Sequence, residues 1–291
     1  MKIRASLWVS LRTPLLSPLL PALACLALLQ APASARAEEK PLWEFGLGVA
    51  DMLFPAYRGS SETRNHVLPM PYFVYRGDFF KADRDGIRGV FFDSDRVELN
   101  LSLAASPPVD SGHIAARQDM PDLKPSLELG PSLDFKLWQS ASRDAKVKIF
   151  LPVRGAFTLE KSPQFIGWQF TPRLNLDIDN PPGLPGWTLG IVGGPIYGSQ
   201  KQHDYFYSVA PQYASAQRSA YEAKAGYAGT QVITALWKRF PSYWVGGFVR
   251  YDNLQGSVFA ESPLLTQKSA FAGGVAVSWI FGESAQRVSV K

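Results

Sequence analysis

The chain has one cysteine and three histidines in 291 residues, and that scarcity removes several chemistries at once. Cys25 lies inside an N-terminal apolar stretch, so a chain processed beyond it holds no thiol for a disulfide or a thiolate metal site. A lipoprotein acylated at Cys25 is disfavoured, because Ala22-Leu23-Ala24 lacks the large apolar residue usual three positions before such a cysteine. His66, His113 and His203 fall in three different expected loops, with no spacing that would aim two of them at one metal. Phosphate-cradling glycine loops and dinucleotide fingerprints are missing too, and Gly46-Leu47-Gly48 sits within a strand-like segment. A Ser-His-acid hydrolase was weighed on Ser60, Ser61, Glu62 and His66 in one loop and His203-Asp204 in another. No glycine-flanked nucleophile accompanies them. The sequence therefore offers no catalytic, cofactor-binding or metal-binding set.

Long apolar helices and a dominant charge are absent as well. The run from Leu15 to Leu29 is broken by Pro18 and Pro21 and is short for a membrane span. Lys2, Arg4 and Arg12 precede it, and Ala33-Ser34-Ala35 and Ala35-Arg36-Ala37 follow. Residues 1–37 thus have the form of a secretory signal peptide, cleaved after Ala35 or Ala37. Removing its four basic residues from the chain's 30 leaves 26 against 25 acidic residues, a net charge of +1. Nucleic acid is not an expected partner.

What remains is alternation. Val97-Glu98-Leu99-Asn100-Leu101-Ser102-Leu103 switches between apolar and polar at every step, the period of a strand with one greasy face. Such segments recur at 43–50, 67–76, 78–84, 87–92, 96–105, 125–138, 145–157, 166–178, 187–197, 226–238, 243–252 and 269–281. Twelve is an even number, as a bacterial barrel requires. Long links at 51–66, 106–124, 158–165, 198–225 and 253–268 fall on one side, and short ones on the other. The expected fold is therefore an all-β transmembrane antiparallel β-barrel of 12 strands over 38–281, with long extracellular loops, short periplasmic turns and a periplasmic tail at 282–291. A secreted sandwich or lipocalin-like barrel is the soluble alternative, with its apolar face turned inward.

In a membrane barrel the apolar series Leu99, Leu103, Leu129, Leu133, Phe271 and Val275 faces lipid. Trp43, Trp168, Trp187, Tyr243, Tyr251 and Trp279 sit near strand ends as interfacial rings. The alternate positions Arg96, Glu98, Asn100, Glu128, Asp134, Lys136, Lys148, Arg154, Arg173, Asn175, Asp177 and Arg250 face the lumen, because a basic residue at midplane in lipid would cost about 2–4 kcal/mol. With both signs present, an internal ionic network is favoured over an ion-selective pore. Pro131, Pro152, Pro172 and Pro195 are expected at bulges. Residues 203–227 gather tyrosines, with Gln212 to Lys224 as a candidate short helix. That loop either binds a partner or folds over the barrel mouth and packs on itself.

The first half carries Pro55-Ala56-Tyr57-Arg58-Gly59-Ser60, Pro69-Met70-Pro71, Tyr75-Arg76-Gly77-Asp78, Asp119-Met120-Pro121-Asp122-Leu123 and Glu128-Leu129-Gly130-Pro131. The second half adds Asp204-Tyr205-Phe206-Tyr207-Ser208-Val209, Tyr221, Gly226-Tyr227, and Arg250-Tyr251 leading through Gly256 to Ser262-Pro263. In these residues the chain resembles the outer-membrane family of the MltA-interacting protein and OmpV. The resemblance implies an outer-membrane barrel without catalytic residues or cofactor, lying in lipid. It also implies a scaffold role that brings a murein transglycosylase together with a murein synthase. The alternative function is a channel for small polar solutes. A chain ending beyond Trp279-Ile280-Phe281 departs from barrels that finish on an aromatic residue.

Overall fold

A computed structural model describes residues 38–83 and 86–290, so the expected signal peptide lies outside the described residues. The elements are β1 (Glu38–Pro41), β2 (Trp43–Pro55), β3 (Thr63–Arg76), β4 (Phe80–Asp83), β5 (Gly86–Asp93), β6 (Val97–Ser106), β7 (Ser126–Gln139), β8 (Ala145–Thr158), β9 (Phe165–Phe170), β10 (Arg173–Asp179), β11 (Thr188–Gly198), α1 (Gln200–Tyr207), β12 (Gly226–Arg239), β13 (Tyr243–Asn253), β14 (Ser269–Glu283) and β15 (Arg287–Val290). Strands β2 to β14 join neighbour to neighbour, all antiparallel, and β14 pairs with β2. β9 and β10 are halves of one strand: both pair with β8 and with β11 in unbroken register, on either side of Thr171-Pro172. Counted once, they make the closed barrel of twelve strands that the alternation predicts.

The apolar face points outward. Phe271 is 68% exposed and Val275 66%, with Leu99, Leu129, Leu133 and Trp279 also exposed. The polar face points inward, where Glu98, Asn100, Glu128, Arg154, Asn175 and Asp177 are buried. A soluble sandwich or lipocalin would show the reverse, since its apolar side chains would be the covered ones. Among the described residues no helix is long and apolar enough to cross a membrane, and a barrel has no need of one.

The hairpin β4–β5 is far shorter than its neighbours. Asp83 pairs with Gly86, and β3 meets β4 only at Tyr75–Ala82 and Arg76–Lys81. β3 continues to Thr63 in full register with β2, so Thr63–Val74 has no strand on its other side among the described residues. The Arg76 N–H donates to Leu42 O on the β2 side, which places the backbone groups of odd-numbered β3 residues toward this open edge. Pro69 and Pro71 occupy two of those positions, where a residue without an N–H leaves no donor unmet. Above the gap the 107–125 loop leans toward β3: Ala115 N donates to Glu62 Oε1 at 2.7 Å and Arg64 Nη2 donates to His113 O at 3.3 Å.

Of the four prolines expected at bulges, only Pro195 sits beside a register shift. Pro152 pairs with Ser132 and Pro131 with Leu101 without a slip of register, although the β7–β8 pairing skips Gly130 and Pro131. Pro172 interrupts pairing without slipping it. Shifts occur instead at Val90/Phe92, Lys136/Trp138, Ala156/Phe157 and Ile280/Gly282. The helix expected over 212–224 is not there. Pro211–Tyr213 is a 3-10 turn, and the bridges Val209–Tyr221 and Ser215–Arg218 fold the segment back as a hairpin. The helix is α1, started earlier by Ser199, whose hydroxyl accepts from Gln202 N. At the chain ends β14 runs on to Glu283, and β15 pairs with β1 as a separate two-stranded sheet.

Candidate functional site

The long links gather at one end of the barrel, and the short turns, with the start of β2 and the end of β14, at the other. The loop end holds the molecule's buried apolar cluster: Tyr57, Val109, Ile114, Leu123, Ile196, Tyr207, Ala223, Ala228, Leu254 and Phe259. Each comes from a link or a strand end, so the cluster exists only when four separate links close over the mouth. Tyr207 stacks on Phe259 with ring centroids 3.7 Å apart. The Tyr57 hydroxyl donates to Leu264 O at 2.6 Å, Tyr207 Oη donates to Arg58 O at 2.9 Å, and Ser262 Oγ donates to Tyr207 O at 2.6 Å. Burial raises the Tyr57 phenol far above its ordinary value and pushes Tyr207 up to about 12, so both stay neutral donors.

The ten loop residues singled out by resemblance converge on this cap. Pro55 is buried where β2 ends. Gly59 holds φ +93°, and its carbonyl accepts from both Thr266 N and Gln267 N. A side chain there would sit 2.1 Å from Leu265 Cδ1. Ser60 is 1% exposed. Tyr205 Oη accepts from Lys124 N, Phe206 packs edge-on to Tyr205, and Tyr221 Oη donates to Val258 O. Pro263 follows Ser262 half-buried. The loop therefore packs on itself and its neighbours, the second of the two expectations for it. Phe259, Leu254, Leu264 and Ile114 escaped the sequence reading. The apolar pairs Val258-Phe259 and Leu264-Leu265 within one link were the available signal.

Two arginines stitch the cap from within. Arg117 is 3% exposed; its guanidinium donates to Phe206 O, Pro121 O and Ser111 Oγ and lies 5.9 Å from the Tyr57 ring centre. Arg218 donates to Ala116 O, Gln118 O and Tyr213 O. Both guanidiniums satisfy backbone carbonyls that a loop crossing the mouth would otherwise leave bare.

The histidines are scattered. His66 is on β3 rather than in a loop, against Phe54. His113 is exposed beside Asp110. His203 is buried against Phe259 and the Lys224 carbonyl, and burial lowers its pKa. Among the described residues no ring nitrogen of the three makes a hydrogen bond to a serine. Among the described residues no group of three or more His, Cys, Asp or Glu is placed to hold a metal.

Inside the barrel the charges separate into groups. In the β4–β7 wall Arg88 binds Glu98 at 2.8 Å and Asp83 at 2.6 Å, Lys81 and Lys136 each reach Asp93 at 3.0 Å, and Asn100 bridges Glu98 to Asp134. Near the termini Glu44, 4% exposed at its side chain, holds Arg76 at 2.8 Å and Arg239 at 3.0 Å, and Arg239 reaches on to Glu283. Glu128 faces Arg154 at 3.8 Å, and Asp252 lies 2.8 Å from Arg250. Asp177 accepts from Asn175, and Lys148 lies over the Phe150 ring. Arg96, expected in the lumen, is exposed in the turn before β6. The arrangement is an ionic network, of the kind mixed signs predict.

The family model described as "MltA-interacting protein MipA" matches residues 47–281. No individually curated protein matches the chain. Among solved structures, the Ralstonia pickettii toluene transporter TbuX is similar at 9% identity and TM-score 0.26, over 85% of this chain and 71% of that one. The P. putida toluene transporter TodX is similar at 11% and 0.29, over 84% and 68%. The CymD monoaromatic hydrocarbon channel is similar at 10% and 0.26, over 85% and 68%.

Proposed function

The chain belongs to the MltA-interacting protein family, matching its model over residues 47–281, and from that premise we propose a non-enzymatic scaffold in the outer membrane. In this reading residues 1–37 are the secretory signal, 38–281 the barrel, and 282–291 a periplasmic extension. The terminal end faces the periplasm and docks a murein transglycosylase, linking it to a murein synthase. The observation that carries the reading is the self-packed apolar cap: the loop end is closed upon itself, which leaves the terminal end as the face free to meet a partner.

That face is made of the turns 77–79, 94–96, 140–144, 180–187 and 240–242. Stable contacts bury about 800 Å² on each partner, so the docking uses several turns together rather than one. Affinity purification from detergent-solubilised membranes tests it. A murein transglycosylase is expected to co-purify and to be lost when turns 140–144 and 180–187 are replaced by glycine-serine linkers. Partner retention after replacing every turn would remove this surface, and absence of any murein enzyme would remove the role.

Passage of small polar solutes is the second reading, favoured by the polar inward face that runs from Glu98 to Arg250. It requires that the cap open. Planar-bilayer recording separates the two, because a scaffold with a seated cap gives no conductance steps.

A further inference from the structure

Beneath the cap four arginines meet: Arg58 from the link after β2, Arg154 from β8, Arg173 from β10 and Arg250 from β13. Two carboxylates answer them. Asp252 takes Arg58 at 2.9 Å and Arg250 at 2.8 Å, with Gln231 donating to it at 3.0 Å. Glu128 faces Arg154 at 3.8 Å and accepts from Gln169 at 3.3 Å. Four guanidiniums against two carboxylates leave an excess of two positive charges, unlike the β4–β7 wall, where Lys81, Arg88 and Lys136 face the four acids Asp83, Asp93, Glu98 and Asp134.

The excess has an address. Arg173 lies within the fields of Arg154, Arg58, Glu128 and Asp252, yet it makes no hydrogen bond or ion pair with any described residue. Arg58 Nη2 and Thr171 Oγ1 are both shut off from solvent and lack a hydrogen-bond partner; Thr171 stands two residues from Arg173 on the same broken strand. Half-buried guanidiniums of one sign repel one another, and a negative group among them relieves that repulsion. Two or three forked donors with a hydroxyl match the oxygens of a carboxylate or phosphate, which arginine grips in pairs.

We propose that this cluster of side chains under the cap is a binding site for a small oxyanion, a carboxylate or a phosphate, gripped by Arg173, Arg58 and Thr171 and flanked by Arg154 and Arg250. The site stands independently of the scaffold role, and neither depends on the other.

The test titrates the purified full-length barrel in detergent micelles with inorganic phosphate and, separately, with benzoate, by calorimetry and by thermal melting. At least one of the two is expected to bind saturably and to raise Tm; the one that binds more tightly names the source. Arg173→Gln is expected to weaken binding at least tenfold while leaving the ligand-free Tm unchanged or higher, because like charges are relieved. Arg173→Lys, which keeps the charge and loses the fork, should lose most of the affinity, and Lys238→Gln on the surface none. The proposal is overturned if neither anion binds, if Arg173→Gln binds as tightly as the parent, or if it lowers the ligand-free Tm and keeps the anion-induced rise. That last pattern would make Arg173 a structural residue only.

Discussion

Phe259 is completely enclosed and lies flat against Tyr207, so the cap depends on this stack more than on any other side-chain contact. Truncating a buried phenylalanine costs about 3–5 kcal/mol. Phe259→Ala is accordingly expected to loosen the cap while sparing the barrel, seen as new trypsin cleavage at Arg218 and Lys224 with the folded barrel's gel mobility unchanged. An unaltered digestion pattern would refute the packing described. His203 gives the cap a pH dependence. Its folded pKa lies below the unfolded value because burial disfavours the charged ring. The sign is therefore that cap stability is complete above the unfolded pKa of about 6.5 and declines as pH falls toward the lowered folded value. Digestion of the loops should accelerate between pH 7.5 and 5.5, and His203→Gln should flatten that response. At this scale the sequence was half-legible. The tyrosines at 57, 205, 207 and 221 stood out by composition, but Leu264 meets Tyr57 across 207 residues of chain and Phe259 meets Tyr207 from a different link, and no local pattern announces contacts of that range.

Among the elements, all twelve barrel strands could be read from alternation, because each has lipid on one face and a polar lumen on the other and so repeats with period two. The errors fall where a second constraint enters. α1 replaces the helix expected over 212–224, since Ser199 supplies a cap that the later segment lacks. Apart from the shift beside Pro195, the bulges escaped detection, because the shifts fall at Val90/Phe92, Lys136/Trp138, Ala156/Phe157 and Ile280/Gly282, where no proline marks them. The terminal ring of Glu44, Arg76 and Arg239 also joins distant strands. Glu44→Gln would take the shared carboxylate from Arg76 and Arg239, whose side chains are 18% and 35% exposed and keep carbonyl partners, so the loss is about 1–3 kcal/mol rather than that of a fully buried pair. Urea unfolding in detergent is expected to show that loss, with Arg76→Gln costing less because Arg239 still holds the carboxylate.

For the whole molecule, the cap covers one end of the barrel and paired charges line its interior. Bilayer recordings of the parent protein are expected to be silent, and deleting 209–221 or combining Tyr207→Ala with Phe259→Ala is expected to produce conductance steps. Silence in both would show that the charged lumen closes the path by itself. The unequal wall has a mechanical meaning. Above the stub of β4–β5 the cylinder lacks two staves, so circumferential tension from the surrounding bilayer is carried there by a single loop, the one tied to Glu62 and Arg64. Squeezing by a thicker or stiffer membrane should make this seam yield before any other, and deuterium uptake at Asn65, Val67 and Phe73 is where that strain will first register.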